Sequence, residues 1–288
     1  MRLSDNKALV LVLLLLAANV ALGLRIGGPG GDEPSIAFLD VGQGDASLIT
    51  LPSGGRVVQI LIDGGPNAGV LPALEAVMPD GDRSIDLVML THPQLDHFGG
   101  LIDVMKRYRV GAFIWSGRAG TVDAWDDLVR AIREAGVPAV ALGSGDAIRF
   151  GDRTLAVLHP DRTGLVSGEL NDSSLVMRLD ADGVRALFTG DIASNVERRL
   201  SPDELAADVL KVPHHGSKYS SGKEFLERVG PKAAFIEVGK NNYGHPTPDA
   251  LARLAAIGSR IFRTDRDGTV IVRWNGGKLL VLPSKQGE

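Results

Sequence analysis

The 288-residue chain reads as a layered α/β fold, and three observations carry that reading. Short apolar runs alternate with longer helical patterns through the first half, as in stacked layers of strands and helices. Several of those runs end abruptly in clusters of Gly, Asp or His, the arrangement of a sheet that collects its chemistry at the carboxyl ends of its strands. Five of the six histidines fall in three such clusters. The densest follows the continuous apolar run 88–90 and holds His92, Asp96 and His97 within six residues, with Gly99 and Gly100 behind them.

The elements follow in order. Arg2 and Lys7 precede an almost wholly apolar run, 8–24. Residues 1–24 therefore read as a signal peptide, with Ala21-Leu22-Gly23 as a small-x-small cleavage site, or as an N-terminal apolar helix serving as membrane anchor. Residues 25–34 form a Gly/Pro linker, and 35–288 form the domain. With Arg2 and Lys7 on the cytoplasmic side, the domain is expected outside the membrane. Strands are expected at 35–39, 46–51 and 57–62, a helix at 71–78, the strand before His92, and a helix over 99–108. A strand at 112–115, an amphipathic helix at 123–135, a strand at 139–142 and a hairpin over 143–158 come next. His159, the one isolated histidine, reads as a loop residue. Strands at 175–179 and 184–188 lead to Thr189-Gly190-Asp191. A helix at 194–200 is expected to be capped by Ser194, with Glu197 closing a capping box. A strand at 208–212 ends in Pro213-His214-His215-Gly216-Ser217. A helix at 224–229, a strand at 233–238 running toward Tyr243-Gly244-His245, a helix at 248–256 and strands at 260–264, 269–274 and 278–282 complete the chain.

Composition sets limits. A net charge of −4 and a pI near 5.9 give no global attraction to nucleic acid. Cysteine is absent, which excludes disulfides, thiolate metal sites and a cysteine nucleophile. No Ser-His-Asp or P-loop signature is present.

Four strand ends carry possible metal ligands: His92 with Asp96 and His97, then Asp191, then His214 with His215, then His245. Imidazoles and carboxylates in this mixture suit zinc, manganese or iron. A metal so held lowers the pKa of bound water toward about 7 and polarises a phosphoryl or carbonyl oxygen. His92, Asp96, His97, Asp191 and His245 are the expected ligands. Asp96, His214 and His215 are the expected catalytic groups, either histidine being able to protonate a leaving group. Asp45 and Asp63, beside glycines at strand ends, are expected to orient histidines.

These motifs resemble the metallo-β-lactamase fold, and more closely the extracytoplasmic hydrolase domain of ComEC-like proteins. The likeness is carried by Phe38 to Ala46 (FLDVGQGDA), Asp63-Gly64-Gly65, the His92 cluster, Phe188 to Asp191, Leu210 to Ser217, Asn242 to Pro246 and Arg263 to Thr269, in family order over residues 36–282. It implies an αββα four-layer sandwich with a divalent metal at the sheet edge, and phosphodiesters, single-stranded DNA among them, as substrates. Lys211 and Ser217 would then contact substrate. Two departures stand out: Gln94 occupies the second position of the family's His-x-His-x-Asp-His motif, and Asn171-Asp172 stand where a further histidine is usual. The resemblance therefore implies one tight metal and a second that is weak or recruited with substrate, with Mn or Mg tolerated better than Zn. A hydrolase of envelope phosphoesters, such as phosphocholine on wall polymers, and a metal-poor binding module are the competing readings.

Overall fold

The computed structural model describes residues 33–53 and 56–285. The apolar segment 1–24 and most of the linker lie outside the described residues. Among the described residues, no helix is long and apolar enough to cross a membrane.

Two mixed sheets form the centre. The first contains β1 (Ser35–Phe38), β2 (Ser47–Ser53), β3 (Arg56–Ile62), β4 (Ser84–Met89), β5 (Arg109–Trp115) and β6 (Ala139–Ala141), with the C-terminal hairpin β14 (Val270–Asn275) and β15 (Lys278–Pro283) beyond β1. Its order is β15-β14-β1-β2-β3-β4-β5-β6. The second contains β7 (Ala147–Phe150), β8 (Arg153–His159), β9 (Val176–Ala181), β10 (Val184–Phe188), β11 (Val209–Lys211), β12 (Ala233–Ile236) and β13 (Arg260–Arg263), in the order β13-β12-β11-β10-β9-β8-β7. In the first sheet β3, β4, β5 and β6 run parallel, and in the second β10, β11, β12 and β13 do.

Alternation along each strand builds the layers. On β1, Ile36 and Phe38 face the second sheet, where they meet Phe188 and Phe235, the latter ring stacked 4.2 Å from Phe38. Ala37 and the following Leu39 point the other way, onto helices. Both faces of a central strand are therefore apolar, as a layer covered on two sides demands. The first sheet is covered by α1 (Val70–Val77), the short α2 (Leu95–Phe98), α3 (Leu101–Arg107) and α4 (Ala124–Glu134), through Leu74, Val104, Trp125 and Leu128. After the small α5 (Arg162–Leu165), helices α6 (Ser194–Glu197), α7 (Lys223–Val229) and α8 (Pro248–Ala256) cover the second sheet through Val196, Leu226 and Leu254; α9 (Thr264–Asp267) follows β13. The result is the helix-sheet-sheet-helix order expected from the sequence.

Two local expectations are corrected. The helix at 194–200 is a single turn, Ser194–Glu197, preceded by Ala193 with no side-chain cap. The Glu197 carboxylate instead accepts the backbone N–H groups of Ser221 (2.5 Å) and Gly222 (2.9 Å) at the start of α7. Two orphan donors on another helix outcompete the local box. His159 ends β8 rather than lying in a loop, buried with its Nε2 2.8 Å from the Asp172 carbonyl oxygen.

Candidate metal centre

The carboxyl ends of the parallel strands from both sheets meet at one edge. Asp63 follows β3, His92 follows β4, Asp191 follows β10, Lys211 ends β11 with His214 and His215 just beyond, and Glu237 follows β12. Asp45 arrives from the turn between β1 and β2. That turn can approach because residue 44 is glycine: at φ +148° a Cβ there would collide with the Asp96 carbonyl oxygen. The Asp45 N–H donates to the same oxygen at 3.2 Å.

Asp63 sits at φ +58° and receives three donors or ring contacts at once. Thr91 gives it the backbone N–H (2.8 Å) and the hydroxyl (2.7 Å), and His97 Nδ1 lies 2.8 Å from Oδ2. With Nδ1 so engaged, His97 Nε2 is the nitrogen free for a ligand. His215 is held the same way, its Nδ1 donating to the Glu237 carbonyl oxygen at 2.7 Å and lying 3.2 Å from Asp45 Oδ1. His214 and His215 both adopt left-handed backbone conformations, φ 53° and 50°. Two consecutive residues of this kind are strained, and such strain gathers at functional sites.

Among the described residues at this edge, His92 Nε2, His97 Nε2 and His215 Nε2 are buried without a hydrogen-bond partner, as are Asp191 Oδ1, both Asp45 carboxylate oxygens and the Nδ1 atoms of His214 and His245. Buried polar atoms are normally paired. Here they converge. Asp191 Oδ2 lies 3.4 Å from His97 Nε2 and 3.3 Å from His215 Nε2, and Asp96 Oδ2 lies 3.4 Å from His215 Nε2. Ligand atoms of His92, His97 and Asp191 lie within 4.8 Å of one another, as do those of Asp96, His97 and His215. The donor chemistry and the unpaired atoms fit a divalent cation.

Electrostatics agree. Burial opposes charge on His97, but Asp191, Asp63 and Asp45 outweigh it and hold its pKa well above the ordinary value. His215 is raised likewise, burial being overcome by Asp191 and Asp45. His92, buried and beside His97, is pushed down to about 3 and stays neutral, as a ligand must. Burial would raise Asp191, yet His215 and His97 hold it well below the usual carboxylate range. His214, whose side chain is 29% exposed, has its pKa lowered by burial and by the charges of His215 and Lys211.

The expected residues divide into three groups. His92, Asp96, His97 and Asp191 come together. His215 joins them as a fourth candidate ligand. His214 stays at the lip, Nε2 4.0 Å from Asp191 Oδ2. His245 belongs to neither ligand group; its ring packs edge-on against His214, with centroids 5.5 Å apart. Lys211 and Ser217, expected at the substrate, are both buried and line no part of the cleft. The Lys211 ammonium is ion-paired with Asp45, donates to the Gly190 carbonyl oxygen at 3.0 Å and lies 3.6 Å from Asp191 Oδ1. Ser217 Oγ accepts the Tyr219 N–H at 3.3 Å. At the two departures from the family motif, Gln94 Nε2 donates to Asn171 Oδ1 at 2.6 Å, so these side chains satisfy each other. Glu237 was not singled out from sequence. Its carboxylate accepts the Ala46 N–H and the Ser47 hydroxyl, each at 3.1 Å, and burial, with Asp45 nearby, pushes its pKa up to about 8. Its signal was a lone acid inside the apolar stretch 233–238.

Above the ligand atoms opens a cleft of about 410 Å³, lined by Gln43, Gln94, Leu95, His214, Tyr243 and His245 among others. The comparisons agree with this architecture. The family model described as Metallo-beta-lactamase superfamily matches residues 39–239. The chain is 32% identical over 276 residues to ComE operon protein 3 of Bacillus subtilis strain 168, covering 87% of this chain and 34% of that protein. It is 29% identical over 247 residues to competence protein ComA of Neisseria gonorrhoeae, covering 83% and 32%. The chain thus spans about a third of the length of these curated relatives. Among solved structures, the metallo-beta-lactamase fold protein YhfI of Bacillus subtilis superposes with a TM-score of 0.53 at 12% identity, over 86% of this chain and 100% of that one.

Proposed function

Starting from a chain that belongs to the metallo-beta-lactamase superfamily of metal-dependent hydrolases, we propose a phosphodiesterase that cleaves single-stranded DNA outside the cytoplasmic membrane. The observation that carries the proposal is the set of buried, unpartnered ligand atoms on the floor of an open cleft. A volume of about 410 Å³ is within the range of small-molecule sites and admits a phosphodiester with its flanking groups. The resemblance to ComEC-like domains supports DNA as the polymer, and Arg2 and Lys7 before the apolar run 8–24 support the location.

His92, His97, His215, Asp96 and Asp191 would hold the cation. When bound, a divalent metal supplies Lewis-acid polarisation of a phosphoryl oxygen and hydroxide near neutral pH. Of the four ligand groups at this edge, two draw on Asp45, which is already paired with Lys211; the other two share His97, which with Nδ1 on Asp63 has one nitrogen to give. That supports one tight metal rather than two. The Asp63 carboxylate and the Glu237 carbonyl oxygen engage Nδ1 of His97 and His215, so each ring is oriented with Nε2 toward the site. His214 is partly exposed at the lip and is the group placed to move a proton to or from a bound substrate. Its lowered pKa keeps it neutral at pH 7, able to take a proton and pass it on.

The test is hydrolysis of labelled single-stranded DNA after EDTA treatment, with manganese, magnesium or zinc added back, beside His97→Ala. Cleavage that depends on metal and falls at least about a hundredfold in the variant is expected. A folded protein that fails to cleave with any of these metals removes the nuclease reading. Release of phosphocholine from wall polymer by the same protein would then assign it to envelope phosphoesters.

A further inference from the structure

Two large apolar side chains that line the cleft are left exposed, Leu95 and Tyr243. Tyr243 is 76% exposed. Yet the loop that carries it is tightly built. Asn241 ties both ends together: its Nδ2 donates to the carbonyl oxygens of Gly239 (2.9 Å) and His245 (2.8 Å). Its Oδ1 accepts the N–H groups of Tyr243 (3.0 Å) and His245 (3.1 Å). One amide side chain thus spends four hydrogen bonds fixing the backbone beneath an exposed ring. The Tyr243 ring lies beside that of His245, centroids 5.9 Å apart and planes tilted by 34°, and His245 in turn packs on His214. A row of three rings therefore runs from the proton-handling histidine at the lip outward to Tyr243.

We propose that Tyr243 is a stacking platform for a nucleobase of a single strand whose phosphodiester lies over the metal floor. This rests on the phosphodiesterase reading and names how that site would select nucleic acid over other phosphoesters. Every base presents a π face, so an exposed ring held rigidly beside a phosphate site binds single strands without reading their sequence. The Asn241 bonds fix the backbone under the ring, so less conformational freedom is left to be lost on contact. Leu95, 47% exposed on α2 beside Asp96, offers a second apolar contact in the same cleft.

The experiment measures binding by fluorescence anisotropy, with and without manganese. The probes are a labelled oligothymidylate and an abasic oligomer of equal length, both with phosphorothioate linkages to slow cleavage. The wild-type protein is expected to bind the oligothymidylate about tenfold more tightly than the abasic oligomer. Tyr243→Ala should weaken oligothymidylate binding by about that factor, leave the abasic oligomer unchanged and so erase the preference. Tyr243→Phe should keep it. Equal affinity of the wild type for both probes, or equal losses on both in Tyr243→Ala, overturns the proposal. Base preference without hydrolysis of ordinary DNA would retain the platform and remove the hydrolase reading. Hydrolysis without base preference would do the reverse.

Discussion

An ammonium group 3% exposed is tenable only where carboxylates neutralise it, and Lys211 has them. Burial would lower its pKa, but Asp45, Asp191 and Glu237 outweigh that and raise it above the ordinary value. Burial would likewise raise Asp45, yet Lys211, His215 and His97 hold it below its ordinary value. The pair is thus a fixed internal charge under the metal floor, and its Asp45 partner also steadies His215. Lys211→Met would leave Asp45 buried without its strongest partner. Removing one member of a buried pair costs about 3–5 kcal/mol. Equilibrium urea unfolding is expected to show a loss of that size. A lysine that gripped substrate would behave differently: the variant would keep its stability and raise KM. A sequence cannot separate these two lysines, because basic residues beside a motif look the same whether they face water or a carboxylate. The same holds for His214 and His215. Adjacent in sequence, they are separated by left-handed backbone angles that send one ring to the floor and leave the other at the lip.

Helix α7 depends on a residue outside it. Glu197 accepts the Ser221 and Gly222 N–H groups at its start, and both donors are otherwise unpaired. Glu197→Ala strands one buried donor, on Ser221, and one half-buried donor, on Gly222, each costing about 1–3 kcal/mol, so a loss of about 2–6 kcal/mol is expected in the same unfolding assay. Burial, working against those donors, raises the Glu197 pKa above its ordinary 4.5. The folded protein therefore holds this proton more tightly than the unfolded chain. Its contribution is fully present below the unfolded pKa and is lost as pH rises through the folded one. Glu197→Gln keeps one acceptor and carries no charge, so its deficit relative to wild type should be smaller than that of alanine and should narrow as pH rises from about 4. A deficit that widens over that interval would mean the carboxylate is favoured as the charged form. Elements of this fold were largely readable because period-two alternation and short continuous apolar runs mark strands covered on both faces. What escaped was set by tertiary partners: the truncation of α6 to one turn, the redirected Glu197, and the single turn α2 that lifts Asp96 and His97 to the site.

The ligands divide between the two sheets, and that division has a thermodynamic consequence. His92, Asp96 and His97 hang from the strands of the first sheet, Asp191 and His215 from those of the second. The motifs could be read from sequence because each ends an apolar run. Their convergence was implied by the family resemblance, while the ligand set depended on loop backbone angles, which place His215 among the ligands and leave His245 outside them. A cation held by this set binds the folded chain and finds no equivalent in the unfolded one, so its binding energy adds to folding. It also clamps the two halves of the sandwich at one edge. At about a hundred times its Kd, a single metal adds about 2.7 kcal/mol, a rise in Tm of about 5–10 °C for a domain of this size. Differential scanning fluorimetry should show that rise when manganese or zinc is titrated into chelator-treated protein. The rise should be concentration-dependent, and EDTA should reverse it. Because ligands come from both sheets, His97→Ala on one and Asp191→Asn on the other should each abolish the shift. His245→Ala, outside both ligand groups, should retain it. If His245→Ala also removed the shift, the bound state would draw His245 inward, and the clamp would extend to the loop that carries Tyr243.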